Sequence, residues 1–260
     1  TLYRGGVIHS PADPFAEALL VDDGVIAWIG ADDTADGLAA RADRVIDLDG
    51  ALVAPGFVDA HVHLFEVGLA LAGVDLSASA GVTSLAAALD AVAKAAAGAH
   101  EDDVVLAFGW DERSWPEGRP PTREELDAAA GGRAVYAARV DVHAAVVSPT
   151  LARRCAGAPR PGWDESGWVA GEAHHVARDV ARAVSPARRT DLYRTALRAA
   201  AEQGVVSVHE MSAPHIDTRA GLREILALTS DASSGLPHVV GYRGELCATA
   251  DDARALLADV

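Results

Sequence analysis

The chain has 260 residues, half of them hydrophobic, enough to bury the core of one large domain or two modest ones. Acidic residues outnumber basic ones 38 to 22, for a net charge of −16, which argues against nonspecific binding to nucleic acid or anionic lipid and favours a small-molecule partner. Two cysteines, Cys155 and Cys247, build neither a disulfide framework nor a CxxC zinc pattern, no run of about 18 uncharged apolar residues occurs, and no basic segment followed by an apolar one opens the chain; a cytoplasmic protein without a membrane span is expected.

Residues 1–54 read as β-structure. "LYRGGVIHS" is a short strand, and "AEALLVDDGVIAWIG" is a hairpin around Asp23-Gly24, a dipeptide suited to a positive-φ turn. "RVIDLDGALVAPG" repeats the pattern around Asp49-Gly50. Turns this close together leave no room for helices, so this segment is expected to be a small sheet module. Residues 55–260 form the second expected domain, in which strands and helices alternate. "GFVDAHVH" is a strand, and "SLAAALDAVAKAAAGA" is a helix ending near Gly98. "DVVLAFGW" is a strand, followed by the helix "PTREELDAAAGG" with Thr122 and Glu125 at capping-box spacing. "RAVYAARVDVH" is a strand. "SPARRTDLYRTALRAAAEQG" is a helix with Ser185 as its N-cap, Pro186 at its first position and Gly204 as its stop. "VVSVHE" and "LPHVVGYR" are strands around the helical "TRAGLREILALTSDASSG", and a last helix begins in "TADDARALLADV".

This alternation predicts an α/β fold with right-handed βαβ units and a parallel sheet. Polar residues gather at the strand ends: His61 and His63, Trp110 to Glu112, Asp141 and His143, His209 and Glu210. In a (β/α)8 TIM barrel, such ends form one active-site face. An open doubly wound sheet fits the alternation too, but it would more often carry a Gly-rich phosphate loop after its first strand, and neither GxGxxG nor GxxxxGK[ST] occurs. A barrel with about five countable strands is therefore expected.

His61 and His63 stand at i and i+2 of a strand, on one face, with backbones about 7 Å apart. Two imidazoles so placed can converge on one metal ion. With ten histidines in the chain, an HxH arises by chance about 0.4 times, so the spacing alone leaves a metal pair and two ordinary histidines equally open.

The surrounding residues add a resemblance. "ALVAPGFVDAHVHL" resembles the first barrel strand of the amidohydrolase superfamily, where PGFVDxHxH follows a small β-sandwich segment. "AFGWDE", "PPTREELDAAAGGRAVYAARVDVHAAVVS", "GWVAGEAHH" and "GVVSVHEM" resemble, in order, further blocks of its YtcJ-like branch. The resemblance implies an incomplete (β/α)8 barrel of the metal-dependent hydrolase type, preceded by part of a β-sandwich. It implies hydrolysis of non-peptide carbon–nitrogen bonds in a small amide-type substrate, with one or two divalent metal ions, most commonly zinc. It makes His61 and His63 metal ligands, with Asp59 available to orient an imidazole. Trp110, Asp111, His143, Glu172 and His209 become substrate-pocket candidates; Val142 stands where the family usually has Gly. Arg139 and Asp141 read as a structural ion pair, and His174 and His175 as a surface loop pair.

The sequence also departs from the family. Members of this branch are near twice this length, and their remaining site residues (a lysine, two histidines and an aspartate) lie downstream of the matched region. Lys94, the only lysine, sits mid-helix and reads as solvated. The chain is therefore expected to be the N-terminal portion of a longer protein, with a start upstream of Thr1, no complete catalytic set of its own and a homodimer as an ordinary assembly. A catalytically inactive metal-binding or scaffold piece, and a metal-free open-sheet binding protein, are the competing readings.

Overall fold

A computed structural model describes residues 1–99, 103–155, 161–214 and 216–258. The chain divides into two units, Thr1–Phe57 and Val58–Val260. In the first unit lie β1 (Leu2–Arg4), β2 (Val7–Ile8), β3 (Ala18–Asp22), β4 (Val25–Gly30), α1 (Asp32–Ala39), β5 (Val45–Asp47) and β6 (Leu52–Val53). β3 and β4 form the expected hairpin, with Asp23 at φ 47° and Gly24 at φ 74°, the conformation of a two-residue primed turn. The sheet order is β4-β3-β1-β5.

Two expectations fail here. Asp49-Gly50 does turn, at φ 48° and 76°, but β5 pairs with β1 and β6 with β2, both parallel, so no hairpin forms. A helix also fits after all. α1 has no side-chain N-cap bond and is held from a distance: Arg4 donates to both Asp32 carboxylate oxygens at 3.2 and 2.6 Å, and Ala35 is buried with Leu2 and Ala18.

The second unit contains β7 (Phe57–Val62), α2 (Leu64–Ala72), β8 (Val74–Asp75), α3 (Leu85–Gly98), β9 (Val104–Trp110), α4 (Arg123–Ala129), β10 (Ala134–Arg139), β11 (Ala144–Val147), α5 (Pro149–Arg154), β12 (Trp168–Ala170), α6 (Gly171–Ala181), α7 (Pro186–Glu202), β13 (Val205–Ser212), α8 (Arg219–Leu228), β14 (His238–Arg243) and α9 (Ala250–Ala258). The capping signals act as read. Thr122 and Glu125 close a reciprocal capping box on α4, and Ser185 accepts the Arg188 N–H at the start of α7.

The predicted strands do not share one sheet. Among the described residues they divide into a three-stranded sheet, β14-β13-β7, and a five-stranded sheet, β12-β11-β10-β9-β8. β8, β9 and β10 are parallel, whereas β10–β11 and β11–β12 are antiparallel. "RAVYAARVDVH" holds the cause. β10 ends at Arg139, Val142 turns at φ 56°, and β11 starts at Ala144. A link of residues 140–143 is far too short for a parallel crossover, so the chain must reverse.

Each sheet has its own packing. α3 and α4 cover one face of the five-stranded sheet through Leu85, Val92 and Leu126, and α6 covers the other through Ala173, Ala177 and Ala181. A third core joins α2, α7, β13 and α8 through Leu64, Leu69, Leu192, Leu197, Val208 and Ile225. α2 lies close against α7 at Gly68, where a Cβ would stand 2.5 Å from the Leu192 carbonyl oxygen and so is excluded. No described helix is long and apolar enough to cross a membrane.

Candidate metal-binding site

β7 delivers His61 and His63 to the start of α2. Their ring centroids are 5.1 Å apart, the planes inclined at 76°. His63 is the N-cap residue of α2 but makes no side-chain cap bond, and its Nδ1 is buried without a hydrogen-bond partner among the described residues. Burial holds the His63 ring below the usual histidine range, the adjacent His61 lowers it further, and the Met211 backbone acts in the opposite sense. Asp59 does not reach an imidazole here. Its Oδ1 accepts the backbone N–H of His61 at 3.0 Å.

β13 lies next to β7 and buries alternate residues, Val208, Glu210 and Ser212. Glu210 is 1% exposed, and its Oε2 accepts the Leu64 N–H at 2.7 Å. Burial pushes this carboxyl up to about 7 against the opposing effect of the Leu64 N–H. The two residues after Leu64 are also held. The guanidinium groups of Arg182 and Arg189 lie over the Phe65 ring, 5.3 and 4.1 Å from its centroid. Glu66 pairs with Arg182, which also donates to the Ile216 carbonyl at 2.8 Å. Arg189 and the Tyr193 hydroxyl both donate to the buried Asp217 carboxylate, each at 2.5 Å.

His209 precedes Glu210 and points to the other face of β13. Tyr242 of β14 stacks on its ring at 5.6 Å, with the hydroxyl 3.2 Å from Nδ1.

The remaining candidates belong to the five-stranded sheet or to α6. Trp110 is a correction: it is fully buried in the core against Trp115 and Trp168, its indole N–H donating to the Ala137 carbonyl at 2.9 Å, with none of its side chain left open among the described residues. Asp111 is bound bidentately by Arg113 at 2.8 and 2.7 Å, which, with lesser help from Arg139, holds its carboxyl at about 2. Arg139 clamps Glu112 with bonds of 2.9 and 3.1 Å and reaches Asp141 at 2.5 Å, as the ion-pair reading expects. His143 is exposed, its backbone N–H bonded to Asp141, and Glu172 is exposed in the first turn of α6. Lys94 pairs with Asp90 at the surface.

His174 is a second correction. It lies within α6, 3% exposed, with Nε2 2.7 Å from the Tyr136 hydroxyl, and burial lowers its ring to about 4. Its neighbour His175 is exposed as expected. Helical spacing from Ala173 to Ala177 and Ala181 was the sequence signal for an inward face at this position. For Glu210 the signal was alternation with Val208 and Ser212 along one strand.

Paired imidazoles, one with a buried nitrogen lacking a partner, suit a zinc-type ion. No group of three or more His, Cys, Asp or Glu able to hold a metal occurs among the described residues.

A family model described as "Amidohydrolase family" matches residues 44–253. The chain is 30% identical over 171 residues to the putative amidohydrolase YtcJ of Bacillus subtilis, covering 65% of this chain and 32% of that one. It is 32% identical over 129 residues to the N-substituted formamide deformylase of Arthrobacter pascens, covering 50% of this chain and 24% of that one. A solved structure, an uncharacterized metal-dependent hydrolase from Pyrococcus furiosus, superposes with a TM-score of 0.70 at 28% identity, covering 93% of this chain and 49% of that one. The chain thus spans about half of that structure and a third or less of the curated relatives.

Proposed function

Because the chain belongs to the amidohydrolase family, we propose that it forms part of a metal-dependent hydrolase of non-peptide carbon–nitrogen bonds in small amide-type substrates. The observation that carries this reading is the edge-on pair of His61 and His63, with its buried unpartnered nitrogen, within the matched residues. A divalent ion held there, zinc by its imidazole donors, would supply an activated water and polarise the scissile carbonyl. The chain's own residues fix the pair: Glu210 holds the Leu64 amide, and Arg182 and Arg189 hold Phe65 and Glu66. His209, His143 and Glu172 are the groups offered to a substrate, Asp111 being taken by Arg113; of the three, only His209 shares a sheet with the pair.

The β14-β13-β7 sheet is the start of the barrel in this proposal. β7 and β14 are its outer strands, and Val58, Val206 and Tyr242 along it are about half exposed. Open edges and uncovered apolar positions of this kind call for further strands. The remaining βα units, metal ligands and proton acceptor belong to the rest of a longer protein, which we place in the cytoplasm and which a homodimer would suit.

A second reading, an inactive metal-binding or scaffold piece, is favoured by the two-ligand set. Hydrolysis separates the two. A panel of N-formyl and N-acyl amines, given to the zinc-loaded protein with its downstream sequence, should be turned over, and His61→Asn should abolish it. Turnover that survives His61→Asn, or no turnover across the panel, contradicts the enzyme reading.

A further inference from the structure

We propose that Glu210 is a positioning residue for the histidine pair, fixing the β7–α2 junction on which His63 stands through its bond to the Leu64 amide. The inference rests on the metal-site reading and deepens it.

The first observation is the place of the carboxylate. Glu210 is almost completely buried on the inward face of β13, between Val208 and Ser212 in the strand's alternation, and no ion pair reaches it among the described residues. A leucine there would pack without desolvating a carboxyl group. The second is its target. Leu64 is the first residue of α2, and its N–H is one of those a helix leaves without an internal acceptor. His63, in the N-cap place, makes no side-chain cap bond, so its imidazole is left for another task. Glu210 supplies the missing acceptor across 146 residues of sequence.

The third observation is the grip on the next turn of α2. Phe65 and Glu66 are held by Arg182 of the α6 C-terminus and Arg189 of α7. Three consecutive residues after His63 are thus fixed by β13, α6 and α7, and Gly68 brings α2 directly onto α7. A backbone held this way leaves the His63 ring few orientations. Pre-set ligand orientation is what gives a metal site its affinity.

The test uses the full chain without metal and then with cobalt(II). In wild type and in Glu210→Gln, whose amide oxygen still accepts from Leu64, the Leu64 amide should exchange slowly and His63 should give one set of ring signals by NMR. In Glu210→Leu, the His63 signals should broaden or double while those of His143 and His175 stay in place, and cobalt binding should weaken at least tenfold. Glu210→Met, nearer in shape and equally without an acceptor, makes the same comparison if the leucine variant does not fold. Unchanged His63 signals and cobalt affinity in a folded Leu or Met variant overturn the proposal. So does a Gln variant that protects the Leu64 amide yet loses tenfold in affinity. If wild type binds no cobalt, the metal reading fails, while the metal-free ring signals still decide the role of Glu210.

Discussion

The two sheets of the second unit carry polar strand ends that look alike in sequence and differ in physics. On the five-stranded sheet, Asp111, Glu112, Arg113, Arg139 and Asp141 saturate one another, and Trp110 gives its one N–H to Ala137. On the three-stranded sheet, His63 buries a nitrogen without a partner, and Glu210 keeps a buried carboxyl at about 7. A polar group whose bonding is complete explains itself as structure. One that is buried and incomplete needs a ligand or a task. In the proposed reading, the difference places the metal pair on β7 beside β13, while the ion network holds the ends of β9 and β10.

The largest effect expected from this contrast is at Trp110. As a core residue, Trp110→Ala should cost about 3–5 kcal/mol in urea or guanidinium unfolding. A cost under about 1 kcal/mol would return Trp110 to a pocket wall. Next is a pair of opposed pH dependences in the metal-free chain. His174 is held neutral, with a folded pKa of about 4 below its ordinary value near 6.5. Its stabilising contribution is complete above about pH 6.5 and is lost as pH falls towards 4, at most about 3 kcal/mol. Glu210 is held protonated, with a folded pKa of about 7 above its ordinary value near 4.5. Its contribution is complete below about pH 4.5 and is lost as pH rises towards 7, of similar size. The two nearly cancel in wild type. Stability measured between pH 4.5 and 6.5 should therefore fall less steeply on acidification in His174→Phe than in wild type, and more steeply in Glu210→Gln. Equal slopes in all three would refute both assignments.

The smallest effect concerns Val142, a β-branched residue at φ 56°. Val142→Gly relieves the left-handed strain and should stabilise the chain by about 1 kcal/mol, read as a higher unfolding midpoint. A loss of stability would mean that the loop geometry depends on the valine side chain.

Local signals carried much of the fold. Asp23-Gly24, the Thr122–Glu125 box and Ser185-Pro186 act within a few residues, and each appears where the sequence puts it. Partnership between strands was not legible, because it is settled at long range. Nothing local tells β9 and β10 that they belong with β8, nor β13 that it belongs with β7. The β10–β11 reversal was hidden for a sharper reason: its left-handed residue is a valine, which turn rules reject. α1 was missed because Arg4, 28 residues away, holds its first turn. At the site, the histidine pair was visible as a motif, while Glu210 as the holder of α2 was not, since its partner Leu64 is 146 residues away.

The proposal that His61 and His63 together bind a metal ion can be checked by the X-ray absorption spectrum of the zinc-loaded full chain. Two imidazole nitrogens at about 2.0 Å are expected in the wild-type zinc shell, with loss of bound zinc in the His61→Asn/His63→Asn double variant. Zinc retained by that folded variant with an unchanged spectrum, or a wild-type shell without imidazole, would contradict it.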